Sequence, residues 1–318
     1  MKKMLAALLA GILALTTTAC GSAGGTQLEM GTGSDAGVYY SYGKALSQVM
    51  PKDAGILLEP RLTEGSKANI EGIRSGELQL GIVQSDVMTY AWQGRRSLEQ
   101  TGRVDSFRVV AGLYGEAVQL ITMDPAIEEV DDLRGRTVSV GAKGSGVYFN
   151  AFDLIDAAGL TMSDINPVYQ SFEESMEAMK NLEIDAAFIV AGTPTPAVTE
   201  LFRDCPAFLV PIDPVVTNRL KKSCPFYTER VIPAGTYAAQ EQDIKTVGVT
   251  AMLVASADAA DQDIYNLTKA ILEGRQQIAA LHGKGTELSL EMATSVTTAP
   301  FHPGAARYYR EQGLDIKS

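Results

Sequence analysis

Two glycine-rich stretches, each placed between an extended run and a helical pattern, constrain this chain most. The first is residues 31–37, Gly-Thr-Gly-Ser-Asp-Ala-Gly, following the extended run 27–30 and opening a helical pattern over 38–50. The second is residues 141–146, Gly-Ala-Lys-Gly-Ser-Gly, following 137–140 and opening a helix over 147–158 that Gly159 stops. Glycine lets the backbone turn tightly and expose its amides. A helix start adds unpaired N–H groups and the positive end of the helix dipole, so each turn suits an anion. The first stretch also fits the dinucleotide fingerprint G-x-G-x-x-A through Gly31, Gly33 and Ala36, with Glu59 where an acidic ribose ligand would fall. Spacing alone leaves both readings open.

Around these turns strand and helix patterns alternate. In the first part, 56–58 is a strand, 63–66 a loop, and a helix with Ile70 and Ile73 inward ends at Gly76; strand 78–83 then meets Gln84-Ser85-Asp86 at a helix start. Three strand-end loops, at 31–37, 63–66 and 84–86, would converge where open parallel sheets bind ligands. Residues 108–123 read as two strands bent at Gly112 and Gly115. In the second part, Ser171-Phe172-Glu173-Glu174 is a capping box, and strand 185–190 runs into a Pro-rich loop containing Gly192 and Thr193. Residues 231–237 read as a linker, 247–255 as an apolar strand, 259–281 as one long helix, and 301–313 as a last helix. The expectation is an α/β chain of two lobes, each a mainly parallel sheet flanked by helices, facing each other across a cleft.

The N-terminus shapes the function classes. Met1-Lys2-Lys3, an apolar run over 4–15 and a small-residue segment ending at Ala19-Cys20 form an export signal too short to span a bilayer. Cys20 reads as a lipidation site, although Thr17 stands where such signals usually carry Leu; plain cleavage nearby is the alternative. The expected division is 1–19 signal, 20–26 tether, 27–115 first lobe, 116–246 second lobe and 247–318 returning to the first lobe. Removing Lys2 and Lys3 from 27 basic residues leaves 25 against 38 acidic ones, a charge near −13, which argues against a nucleic-acid partner. An exported chain also has little use for a nicotinamide cofactor, and the second glycine-rich turn is not explained by a single dinucleotide site. No cofactor is expected.

Chemistry is sparse. Neither glycine-rich turn fits G-x-S-x-G, there is no Gly-Lys-Ser or Gly-Lys-Thr phosphate loop, and His282 and His302 fall late in the chain. Asp131-Asp132 and Glu173-Glu174 fit helix-start charges. Three Cys and two His show no metal-ligand spacing. Cys205 and Cys224 could close a disulfide loop of about 20 residues, stabilising by roughly 3 kcal/mol, or stay as free thiols. Tyr39 and Tyr40 adjoin the first turn, where a hydroxyl could orient a polar ligand. Lys143 and Arg61 are the cationic candidates, and Thr63 belongs to the converging loops.

The chain resembles the TAXI-type substrate-binding proteins of tripartite ATP-independent periplasmic (TRAP) transporters. The resemblance rests on Gly31-Thr-Gly-Ser followed by Gly37-Val-Tyr-Tyr, on Gly81-Ile-Val-Gln-Ser-Asp86, and on Val138-Ser-Val-Gly-Ala-Lys-Gly-Ser-Gly146. It continues in Val190-Ala-Gly-Thr-Pro-Thr-Pro-Ala197, Ile232-Pro-Ala-Gly-Thr-Tyr237 and Phe301-His-Pro-Gly-Ala305. It implies a type II-like periplasmic-binding fold, no enzyme activity, and a small organic anion as ligand: a glutamate-like amino acid, a 2-oxoacid or a dicarboxylate. It implies delivery to a membrane permease, and contacts from Gly33, Ser34, Tyr40, Gln84, Ser85, Ser145, Gly146, Val147, Gly192 and Thr193. Val147 stands where many relatives carry Thr, and Lys143 where a small residue or Pro is common. A sensory or adaptor receptor of the same fold, or an exported enzyme, are the competing functions.

Overall fold

The computed structural model describes residues 25–50, 55–96 and 102–317; the signal segment, Cys20 and most of the tether lie outside them. Strands β1 (Thr26–Gly31), β2 (Ile56–Arg61) and β3 (Leu80–Gln84) alternate with helices α1 (Tyr39–Val49), α2 (Ser66–Ser75) and α3 (Ser85–Gln93). All three strands run parallel, in the order β2-β1-β3. The second lobe repeats that order. Its strands are β5 (Thr137–Ser139), β6 (Asn166–Val168) and β7 (Ala186–Ala191), arranged β6-β5-β7, with β5 parallel to both neighbours. Helices α4 (Val147–Ala158), α5 (Phe172–Lys180) and α6 (Pro196–Asp204) connect and flank them.

Two long antiparallel strands join the halves. They are β4 (Phe107–Thr122) and β10 (Ile244–Ser256), which pair with each other from Ser256–Phe107 to Gly248–Ala117. β10 pairs with β3 through Ala251–Ala255, and β4 with β7 through Ala117–Thr122, so one ten-stranded sheet passes through both lobes. Gly112 and Gly115 do not break β4 into two strands, contrary to the sequence expectation. Each instead admits a neighbour: a Cβ at Gly112 would overlap Met292 O, and one at Gly115 would sit 2.5 Å from the Arg230 guanidinium. Register shifts at Ala251/Met252 and Leu253/Val254 bend the pair.

The remaining elements complete the lobes. β8 (Phe208–Val210) pairs with β4; helix α7 (Pro214–Ser223) leads to β9 (Thr228–Ile232), which pairs with β10. The first residues of the expected 231–237 linker therefore belong to a strand. The long helix expected over 259–281 is divided at Gly274 into α8 (Asp261–Glu273) and α9 (Arg275–Leu281). α10 (Leu290–Ala293) and α11 (Pro303–Glu311) follow. α11 packs on α8 and on β4, where the Tyr309 hydroxyl donates to Val110 O over 2.8 Å. No helix among the described residues is long and apolar enough to cross a membrane.

Cys205 and Cys224 are free thiols, so the disulfide expectation is corrected. Each follows the last turn of its own helix, α6 or α7, and they join separate apolar clusters. Cys224 is buried with its Sγ 3.3 Å from the Tyr90 hydroxyl.

Candidate ligand-binding cleft

Three strands of each lobe end on the same cavity, of about 510 Å³. The ends of β1, β2 and β3 bring Gly33, Ser34, Tyr39, Thr63, Ser66 and Gln84 to it. Those of β5, β6 and β7 bring Lys143, Ser145, Gly146, Val147, Tyr169, Phe172 and Ala191. Glu116 enters from β4, where that strand passes between the lobes. Backbone N–H groups at helix starts and side chains at strand ends therefore collect at one place, as open α/β sheets dictate.

Asn69, unremarked in the sequence, organises the first-lobe loops. Its amide donates to Thr32 O and Ile82 O, both over 2.7 Å, joining the ends of β1 and β3. Its Oδ1 meets the Thr63 hydroxyl at 2.7 Å, which adds the loop after β2. β3 passes into α3 without a loop, so Gln84 is both last strand residue and N-cap; its N–H donates to Ser66 Oγ over 3.0 Å. In the second lobe, Ser171 and Glu174 form the expected capping box, and the Lys143 ammonium lies 5.1 Å from the Tyr169 ring centroid.

The lobes are docked. Ala68 N–H donates to Gly144 O over 3.1 Å, and Ala197 N–H to Ala36 O over 3.3 Å, both across the cleft. Glycine permits this approach: a Cβ on Gly146 would overlap the Gln84 amide, and one on Gly144 would overlap Glu64.

Eight of the twelve expected contact residues line this cavity: Gly33, Ser34, Tyr39, Thr63, Gln84, Ser145, Gly146 and Val147. Four do not. Successive helical residues point about 100° apart, so Tyr39 faces the cavity while Tyr40 turns outward and stacks under the Lys44 ammonium at 4.9 Å. Ser85 is buried, with its Oγ accepting the Thr250 N–H over 3.1 Å. Gly192 lies against Lys284 and Tyr114, and the chain turns away through Thr193; β7 contributes Val190 and Ala191 instead. Lys143 lines the cavity, whereas Arg61 pairs with Glu29 on the outside of the sheet. Both histidines have structural partners: His302 caps α11, and His282 lies 3.1 Å from Ser41 Oγ.

Glu116 and Tyr39 form the electrostatic centre. Glu116 is 1 % exposed although it stands on the cavity wall, and the Tyr39 hydroxyl donates to its Oε2 over 2.9 Å. Burial pushes the Glu116 carboxyl up to about 8; the Asp86 charge adds to this, while Tyr39 and the Lys284 charge oppose it. Tyr39 is raised well above its ordinary value, first by burial and then by Glu116 and Tyr114. Glu116 sits in a strand with no motif around it, so nothing local in the sequence marks it.

Residues 30–313 match the model of the NMT1-like family. The chain belongs to that family. Among solved structures it is similar to the alkanesulfonate-binding protein SsuA of Xanthomonas axonopodis pv. citri bound to MOPS. That match has a TM-score of 0.50 and 16% identity over 89% of this chain and 83% of that one. It is similar to a putative L-cystine ABC transporter protein of Listeria monocytogenes, at a TM-score of 0.52 and 13% identity over 83% and 98%. An ancestral arginine-binding protein bound to arginine gives 0.52 and 12% over 81% and 97%. At these identities the likeness shows the fold: this NMT1-like chain has the α/β periplasmic-binding-protein type II architecture.

Proposed function

We propose that this NMT1-like protein is an extracytoplasmic solute receptor of a TRAP transporter, of the TAXI type. In this reading it closes on a small organic acid, a glutamate-like amino acid, a 2-oxoacid or a dicarboxylate, and delivers it to a membrane permease. The observation that carries the reading is one cavity walled by the carboxyl ends of three strands from each of two docked lobes. Such a cavity encloses a small molecule and opens only when the lobes part about β4 and β10. The start of α4 and Lys143 offer positive potential for a carboxylate. Ligand binding shifts the open–closed population by the contacts it makes with both lobes at once. The export-like N-terminus supports the extracytoplasmic location, with Cys20 as the proposed lipid anchor.

Mass spectrometry of small molecules released from freshly purified, unwashed protein tests this reading. A stoichiometric organic acid or amino acid is expected. Calorimetric titration with that compound should give one site per chain, and Ser145→Trp should abolish it by filling the cavity. Absence of any bound or titratable organic acid or amino acid would overturn the reading. Mass spectrometry of the mature N-terminus tests lipidation of Cys20. Co-purification with a membrane permease encoded beside it separates a transport receptor from a sensory one.

A further inference from the structure

Glu116 is a buried carboxylate on the cavity wall whose hydrogen bond comes from Tyr39, a neutral hydroxyl. A carboxylate in such a place calls for a cation or several N–H donors. Among the described residues no Lys, Arg or His forms an ion pair with it; Lys284, whose charge it feels, is bound to Glu287 at 2.7 Å. Tyr39 on α1, Tyr114 on β4 itself and Asp86 on α3 also act on it, none of them basic; the Arg230 guanidinium and the Glu287 carboxylate lie against the preceding residue, Gly115, and neither bonds the Glu116 carboxylate.

Neighbouring polar groups add acceptors beside it. Gln84 lines the same wall, and its Oε1 is buried against Gly146 without a donor. The Ser145 hydroxyl donates its proton to Ala142 O over 2.7 Å, leaving only lone pairs toward the cavity. Ser66 Oγ receives the Gln84 N–H, which leaves its own O–H free as a donor. An alkylammonium, with three donors and no acceptor, complements the Glu116 carboxylate and these lone pairs. A second carboxylate, or the carbonyl of a 2-oxoacid, would meet the like lone pairs of ionised Glu116.

We propose that the solute carries a protonated amine, seated against Glu116, with Tyr39 holding that carboxylate in position. This rests on the solute-binding reading above and narrows it to amine-bearing acids. The ammonium lies at the β3–β4 wall, and the solute's carboxylate faces the start of α4 and Lys143. 2-Oxoacids and dicarboxylates without an amine are then poor ligands at a pH near 8 and above, because burying ionised Glu116 against them leaves its charge without a partner.

The test compares matched pairs by calorimetry on ligand-stripped protein at a pH near 8: L-glutamate with glutarate and 2-oxoglutarate, L-leucine with 4-methylpentanoate, and L-arginine with 5-guanidinopentanoate. At least one amino acid should bind, with its des-amino partner weaker by about 30-fold or more. Glu116→Gln should weaken the amino acid by about tenfold or more at an unchanged melting temperature. A des-amino partner within about threefold of its amino acid, or a folded Glu116→Gln variant of unaltered affinity, overturns the amine assignment and leaves solute binding standing. If that variant does not fold, the matched pairs decide by themselves. Binding of neither series overturns both readings.

Discussion

The Tyr39 hydroxyl donates to Glu116 Oε2 over 2.9 Å, tying the first turn of α1 to the strand that both lobes share. Glu116 is strongly perturbed. Burial pushes its carboxyl up to about 8, and each partner around it moves that value in a known direction. The protonated form is therefore favoured below about 8, and an ammonium ligand must displace that proton.

Affinity for an amine-bearing acid is expected to rise by about tenfold per pH unit below about 8 and to level off above it, since binding requires the charged carboxylate. The Tyr39 bond favours the charged form, so Tyr39→Phe should move the plateau to higher pH. Calorimetry across pH, in buffers of differing ionisation heat, reads both the slope and the proton released. An affinity that falls as pH rises would instead mean that neutral Glu116 donates to the ligand.

Gly146→Ala should impair closure without impairing folding. Gly146 is the N-cap of α4 with φ of −77°, a conformation any residue adopts. The added methyl would meet the Gln84 amide of the other lobe. The expected outcome is a loss of solute affinity of about tenfold or more, with a wild-type circular dichroism spectrum. Small-angle scattering should show no compaction on adding ligand. Wild-type affinity would mean that the lobes dock differently when the site is filled.

Ligand-free stability should fall as pH rises from about 4 to about 8. Asp86 is fully buried, and burial first, then the Asp153 charge, push it up to about 8, in the same direction as Glu116. A carboxyl whose folded value is raised holds its proton in the native state. Its contribution is complete below the unfolded value and is lost as pH climbs to the folded one. Asp86→Asn should flatten part of this decline, because an amide has no proton to lose. Guanidinium midpoints across this range measure it; a wild-type midpoint that climbs with pH would count against a buried protonated Asp86.

Reductant should leave the melting temperature of the mature protein unchanged to within about 1 °C. The Cys205 and Cys224 thiols are free, so no loop is closed between them. A drop on reduction would reveal a bond, whose loss from a loop of this length costs about 3 kcal/mol. In the native protein Cys205 should react with a thiol reagent before buried Cys224, and both should react after unfolding.

The glycine turns, the capping box at Ser171 and the helix over 147–158 were legible because each depends on residues a few positions apart. So was the convergence of strand ends, since parallel strands joined by helices bring their carboxyl ends to one side. The choice between Tyr39 and Tyr40 was not, because it depends on how α1 is rotated against the sheet. Ser85 and Gly192 resemble ligand contacts in sequence, yet a hydrogen bond from the Thr250 N–H and the Lys284 side chain occupy them.

The sequence by itself determined the alternation of strands and helices, the two glycine-rich turns and the two-lobed α/β plan, all of which follow from local propensity and short-range periodicity. Only the tertiary structure decided that β4 runs unbroken through both lobes and carries Glu116 into the cavity. It also placed Gly146 directly on Gln84. Burial and charge pairing are sums over neighbours distant in the chain, so the electrostatic character of the cleft exists only once those neighbours have been brought together.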